Sequence, residues 1–387
     1  MDERVVITGL GVVSSLGSQV DEFWEKAVKG TSGISQVSSF DTSNLERHYA
    51  GEVKEFKPFL GNGDKRPQLP RTQEFAISAS RSAISDSGLT DDKDMTLIIG
   101  SLAAGLEIIE DRKKGFNNYP VSQLTANVVK TLNLSGPAFT LSCACGAGNY
   151  ALSFAYDMIK TGREKVVLAG GADYFSMSIF LSFYKLFSLS LLQCKPFDKN
   201  RRGLLPAEGA GMLVVESLSS ATERKAHIYA EILGYGMSVD ATHPVIPSEN
   251  GVYSCMEDAL NYAGLSTSDI DYISAHGTGT IPNDRTECTA IKRLFGDSRS
   301  KELPISSLKS MLGHAMGAAS SIEAISCCLA LENGIIPPTI NYEVFDPECD
   351  INCVPNKAIR AKLNYVLNNS FGFGGMNCSL VLSAFKG

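Results

Sequence analysis

Phe139-Thr-Leu-Ser-Cys143-Ala-Cys-Gly-Ala-Gly-Asn-Tyr150 joins a strand-like run, residues 138–141, to a helical pattern over residues 151–161. Cys143 falls at that junction, the mouth of a helix. Unpaired backbone N–H groups and the positive end of the macrodipole favour an anion there. Thiolate is the nucleophilic form of cysteine, and a helix N-terminus lowers its pKa. A buried structural cysteine is the plainer alternative, since free cysteine is among the most buried residue types.

The same succession of strand, small-residue turn and helix recurs over residues 304–319. Other segments pair as well. Val5-Val-Ile-Thr-Gly-Leu-Gly11 is a strand running into Gly-x-Gly, and so is the stretch 228–238. A helical pattern over 77–87 leads through Gly88-Leu to a strand over 95–100; one over 256–263 leads through Gly264-Leu to a strand over 272–275. Apolar strands, 212–216 and 379–383, close the halves, preceded by glycine-rich segments at 203–211 and 371–375. Matched halves predict a duplicated α/β fold, divided as residues 1–225 and 226–387, with the polar stretch 217–225 as connector. The repeat also accounts for both Gly-x-Gly turns. A dinucleotide fingerprint needs a third glycine, and Ser14 occupies its place.

A net charge of -7 argues against a nucleic-acid partner while leaving room for a local basic patch. Ten cysteines occur in a chain whose Met1-Asp-Glu-Arg start reads as no secretory signal, so reduced thiols and a cytoplasmic location are expected. No cysteine pair has metal-ligand spacing with partner histidines, and no metal is expected. The apolar run 177–192 is broken by Lys185 and rich in serine, which reads as a buried or subunit-facing segment rather than a membrane span.

Two of the five histidines lie in small-residue turns after strands: Ser274-Ala-His276-Gly-Thr-Gly-Thr280, and Lys309-Ser-Met-Leu-Gly-His314-Ala-Met-Gly-Ala-Ala319. Loops at strand C-termini are where α/β folds place reactive groups. A cysteine can take an acyl group as a thioester. Two neutral imidazoles aimed at one thioester oxygen can stabilise an enolate while carbon dioxide leaves. Lys309 adds fixed positive charge beside His314. Backbone N–H groups of Cys143 and of the 371–375 loop can form an oxyanion hole. Ordinary hydrogen-bonded histidines and a surface lysine are the plainer alternatives.

These motifs together resemble a β-ketoacyl-[acyl-carrier-protein] synthase of the KAS II type, in the thiolase superfamily. The resemblance runs from Val5 to Asn369-Ser-Phe-Gly-Phe-Gly-Gly375 and rests on Ser142-Cys143-Ala144, Ala275-His276-Gly277-Thr278, Lys309-Ser310-Met311, Gly313-His314, Gly317-Ala318-Ala319 and the phenylalanine–glycine loop. It implies a duplicated thiolase-like fold of five layers, αβαβα, a dimer formed through the first half, and decarboxylative Claisen condensation. It implies Cys143 as acyl acceptor, and His276 and His314 on the malonyl thioester oxygen. Lys309 orients the His314 side, supported by Glu323, and Phe371 supports the site. Phe373 is implied as the gate whose backbone N–H completes the oxyanion hole with that of Cys143. Thr278 and Thr280 would bind the phosphopantetheine arm of acyl carrier protein; Asn377, grouped with them at the substrate, ties the loop down. Asp284 and Glu287 are read as structural. No cofactor is implied beyond the carrier's arm. The partners implied are acyl carrier protein and a second ketosynthase-like subunit, identical or not. Carrier protein is acidic, which makes Lys65, Arg66, Arg71, Arg201 and Arg202 the candidate contacts.

Departures from the family pattern occur at four places. Cys145 stands where Thr or Ser is usual two residues after the nucleophile and is read as pocket wall. Arg202 interrupts the usual Arg-Asp-Gly-Phe. Met376 and Cys378 flank Asn377, and residues 102–124, which shape the acyl pocket, are shortened. These incline the reading toward a specialised polyketide or polyene pathway. A chain-length-setting subunit without chemistry and a thiolase-type acyltransferase, with Cys378 as its second cysteine, remain the alternatives.

Overall fold

The computed structural model describes residues 3–57, 69–90, 93–106, 110 and 121–387. Ten strands form one continuous sheet: β1 (Val5–Val13), β2 (Thr96–Gly100), β3 (Ala138–Leu141), β4 (Val166–Asp173), β5 (Gly209–Ser217), β6 (Ala230–Val239), β7 (Tyr272–Ser274), β8 (Ile305–Ser306), β9 (Tyr365–Gly372) and β10 (Met376–Ser383). Their spatial order is β8-β7-β9-β10-β6-β1-β5-β4-β2-β3. Read outward from the middle, each half has the same arrangement: two antiparallel pairings, then two parallel ones. The two half-sheets pair strand to strand where Val5, Val6 and Ile7 meet Ile232, Glu231 and Ala230.

Six helices build the layers: α1 (Arg71–Ser87), α2 (Ala147–Lys160), α3 (Met177–Lys185), α4 (Glu249–Ala263), α5 (Ile281–Phe295) and α6 (Ala319–Asn333). Helix α1 packs on β1 and β5, and α4 on β6 and β10. Between the half-sheets lie α2 and α6, each touching strands of both halves and each other. Every residue of α6 from Ala319 to Leu331 is buried. A helix this poor in charged side chains is enclosed on all sides, and Ala324-Ile-Ser-Cys-Cys-Leu-Ala-Leu331 in α6 suits that place. The result is the layered αβαβα thiolase-like fold.

Local chemistry sets the equivalent turns. Helices α1 and α4 both stop at a glycine in the left-handed region, Gly88 (φ 74°) and Gly264 (φ 67°), a conformation that a Cβ disfavours. Strand β1 is buried along its whole length, which suits its nearly unbroken Val/Ile/Leu run. Helix α2 starts at Ala147, four residues ahead of the expectation; Gly148 lies in its first turn, where a Cβ would come within 2.8 Å of Ser320 and Ser321. The run 177–192 divides: Ile179, Phe180 and Phe183 of α3 are buried, while Leu186, Phe187, Leu191 and Leu192 are exposed. Residues 102–124, expected to shape the acyl pocket, lie in part outside the described residues. All ten cysteines are free thiols. Among the described residues no helix is long and apolar enough to cross a membrane.

Candidate active site

Strand β3 ends at Leu141, and the chain passes through Ala144, a non-glycine residue at φ 47°, into a short 3₁₀ turn that runs straight into α2. That turn decides which thiol faces inward. Cys145 lines a cavity of 410 Å³ together with His276, His314 and Phe373. Cys143 is not among the residues lining it; half-exposed, it stays at the end of the edge strand. The thiol expected in the site, Cys143, is therefore corrected to Cys145, and Cys145 is more than pocket wall. The signal lay in the sequence: Cys145, not Cys143, adjoins the small residues that open the helix. The expected low pKa at Cys143 is also overturned, because burial pushes its thiol up. Burial pushes the Cys145 thiol up to about 11, against the opposing pull of Lys309 and the Phe373 N–H.

The two histidines come from the second half. His276 follows β7, and its N–H and that of Gly277 both donate to Glu287 of α5 at 2.8 Å. Burial pushes the Glu287 carboxyl up to about 7. Asp284, one turn earlier, accepts from Phe197 N–H at 2.8 Å and Gly279 N–H at 3.1 Å. Both acids brace the turn from behind.

His314 is clamped through its backbone: its N–H donates to Leu205 O at 2.7 Å, and its carbonyl accepts from Ala207 N–H at 2.8 Å. This is the task of the glycine-rich segment 203–211. His314 Nδ1 accepts from Met316 N–H at 3.2 Å, which puts the ring proton on Nε2. The His276 and His314 rings meet edge to face, centroids 5.5 Å apart. Burial first, then the charge on Lys309, hold both imidazoles well below the usual histidine range. Both are neutral at pH 7 and able to donate an N–H. Lys309 Nζ itself is hydrogen-bonded to Glu323 at 2.5 Å, with both side chains buried.

The loop 371–375 closes the site. Phe371 is buried with its ring 6.0 Å from that of His276. A Cβ on Gly372 would lie 3.1 Å from Cys145 N, so the two backbones touch. The Phe373 N–H faces the Cys145 thiol closely enough to oppose the rise in its pKa. The amide pair available to an oxyanion is thus Phe373 and Cys145, which corrects the expected share of Cys143. Behind the loop, Asp240 N–H donates to Gly375 O at 3.0 Å, and its carboxylate accepts from Ser248 N–H and Asn377 Nδ2, both at 2.7 Å. Asn377 is fully buried in this brace. Its expected place at the substrate is corrected: it ties the loop and is not among the residues lining that cavity.

Thr278 and Thr280 line the cavity with their hydroxyls 2.9 Å apart. Of the five basic candidates, Arg202 is exposed at the cavity mouth. Arg201 is buried, paired with Asp346 and 3.9 Å from Asp284, so it cannot meet a partner protein. Arg71 is committed to Glu208 at 2.9 Å and Val53 O at 2.5 Å. Both expectations are corrected. Lys65 and Arg66 lie outside the described residues.

One buried acid escaped the sequence reading. Asp173, at the end of β4, accepts from Ser101 Oγ, Leu102 N–H, Ala103 N–H and Gly317 N–H at 2.6 to 2.9 Å. It fixes the His314 turn against the residues that begin the acyl-pocket segment. A charged residue closing an otherwise apolar strand was the one available signal.

The family models for the N-terminal and C-terminal domains of beta-ketoacyl synthases match residues 2–221 and 229–343. Nodulation protein E of Rhizobium sp. (strain N33) is 38% identical over 398 residues, covering 98% of this chain and 99% of that one. The 3-oxoacyl-[acyl-carrier-protein] synthase 2 of Coxiella burnetii (strain RSA 493 / Nine Mile phase I) is 38% identical over 409 residues, 98% of each. Among solved structures, the ishigamide ketosynthase/chain length factor superposes with a TM-score of 0.92 at 38% identity, over 100% of both chains.

Proposed function

The chain belongs to the β-ketoacyl synthase family, and on that premise we propose that it joins an acyl group held on Cys145 to a malonyl group carried by acyl carrier protein. Cys145 Sγ attacks the acyl thioester carbonyl, and its proton passes by way of a neutral imidazole to the departing pantetheine thiol. The N–H groups of Cys145 and Phe373 take the oxyanion. A malonyl thioester then enters, and N–H groups of His276 and His314 bind its carbonyl oxygen. The C–C bond to the carboxylate breaks, carbon dioxide leaves, and the electron pair becomes an enolate. Enolate carbon attacks the acyl carbonyl, the C–S bond to Cys145 breaks, and the departing sulfur takes a proton from water to become a thiol again. Thr278 and Thr280 hold the arm. The chemistry draws on the chain's own groups and the arm of the carrier.

One observation carries this reading: the Cys145 thiol, the buried His276 and His314 imidazoles and Phe373 border one cavity. The edge strand β3 exposes Phe139, and Phe154 of α2 is exposed beside it in a second hollow. That surface suits a second subunit, either identical or of the chain-length-setting kind named in the ishigamide structure. The reading includes a cytoplasmic enzyme working in a specialised polyketide or polyene pathway. Intact-mass analysis after incubation with an acyl-carrier ladder tests the reading. The expected result is one acyl adduct per chain, mapped to Cys145, and a 3-oxoacyl product once malonyl-carrier is added. An adduct on Cys143, or none, would overturn it.

A further inference from the structure

Each half of the chain carries the same elbow. In the first, Ala144 takes φ 47° and a 3₁₀ turn, Ala144–Gly146, runs into α2. In the second, Met316 takes φ 50° and the turn Met316–Ala318 runs into α6. Cys145 and Gly317 are therefore equivalent positions. The amide of Cys145 is one of the pair available to an oxyanion. That of Gly317 is already taken, donating to Asp173 Oδ2 at 2.6 Å. A Cβ on Gly317 would lie 2.7 Å from the same oxygen, so an internal carboxylate fills the place of a second nucleophile.

Asp173 is fully buried and has no part in the bond-making steps. Its oxygens join two pieces of the site. Oδ2 also accepts from Leu102 N–H at 2.9 Å, while Oδ1 accepts from Ser101 Oγ at 2.6 Å and Ala103 N–H at 2.9 Å. On one side, Met316 N–H, next to Gly317, fixes Nδ1 of His314. On the other, Ala103 belongs to an apolar cluster with Phe183, Leu204 and Phe373, three residues of the wall around Cys145. The His314 ring and that wall hang from one side chain.

We propose that Asp173 is a positioning residue for the decarboxylation step: it sets the His314 Nε2–H on the malonyl oxygen and holds that ring in register with the wall against which the acyl group lies. The inference rests on the reading of Cys145 and the two histidines as a condensing centre. Loading places its oxyanion on the Cys145 and Phe373 amides, neither of which is bonded to Asp173, so the two steps should respond differently when the acid is changed. Its charge gives a second handle. Burial pushes the Asp173 carboxyl up to about 6, which leaves it ionised at pH 8. Burial raises the Cys145 thiol most, and the Asp173 charge adds to that rise.

Asp173→Asn keeps the size but turns part of the acceptor into a donor facing donors. Acyl loading of Cys145 in a single turnover should stay within about twofold of the parent, since the oxyanion amides are untouched. Condensation kcat should fall about 30-fold, inside the roughly 10²-fold that a misplacement of about 1 Å can cost. KM for malonyl-carrier protein should stay within about twofold, the sign of an interaction made in the transition state. Iodoacetamide should meanwhile react with Cys145 about threefold faster at pH 8, because a nearby negative charge has gone. Ser101→Ala cuts one bond and keeps the charge, which covers the case of an Asp173 variant that does not fold. Its condensation kcat should fall about threefold, the scale of one lost hydrogen bond, with loading held and no gain in alkylation. Equal falls in loading and condensation, a rise in KM in place of a fall in kcat, or unimpaired condensation in both variants would each overturn the proposal. Alkylation accelerated equally in both would do the same, by showing a loosened pocket rather than a lost charge. If the wild type neither loaded nor condensed, the functional reading itself would fall, which is a separate result.

Discussion

Lys309 Nζ sits 2.5 Å from Glu323 Oε1, each side chain only 2% exposed, beneath the paired imidazoles. The ammonium is the common cation that pulls down both His276 and His314. Lys309→Met leaves Glu323 buried without a partner and should cost about 3–5 kcal/mol. It should also let both imidazoles titrate at higher pH, so the acid limb of the pH–rate profile moves upward and activity at pH 6 falls. Adding Glu323→Gln should recover stability without restoring the profile. A limb that stays in place would show that Lys309 acts only through packing.

Cys145→Ala should abolish acyl loading, a loss on the order of 10³-fold or more, as expected for removing a covalent nucleophile. Cys143→Ala should keep loading within about tenfold, a change of up to about 1.4 kcal/mol. Mass spectrometry of the intact chains separates the two. Loss of loading in Cys143→Ala with retention in Cys145→Ala would reverse the assignment.

Alkylation by iodoacetamide reports the thiol's protonation. With Cys145 pushed up to about 11 by burial, its thiolate fraction rises with pH throughout the neutral range. Its rate should climb about tenfold per pH unit between pH 7 and 9, the behaviour of a group well below its pKa. A rate already flat at pH 7 would mean that the helix end outweighs burial.

Arg201 and Arg202 are neighbours with opposite fates. Arg201→Ala strips the cation from Asp346 and Asp284 in the interior and should destabilise the fold by about 3–5 kcal/mol. Arg202→Ala, at an exposed side chain, should shift stability by no more than about 0.5 kcal/mol. Chemical denaturation of both variants decides; similar midpoints would contradict the burial of Arg201.

The duplication was legible because each strand, turn and helix of one half has its counterpart in the other, down to Gly88 and Gly264 ending their helices. The His276 and His314 turns were legible for the same reason. Cys145 was misread by two residues because Ala144 adopts a left-handed turn that no composition rule announces, and because the helix begins before its periodic pattern does. Arg201, Arg71 and Asn377 were misread for another reason. Their partners, Asp346, Glu208 and Asp240, lie 145, 137 and 137 positions away along the chain, and a charge or amide on the page does not say whether it meets water or an interior acid.

The narrow seam between the half-sheets, three residues from each side, has a further consequence. What glues the halves is the doubly covered pair of helices, α2 given by one half and α6 by the other, so each half severed from its sibling would bare a greasy slab to water and clump. Neither is a portable module. Evolution or an engineer wishing to divide labour in this scaffold must do so by marrying whole chains, not by trading halves.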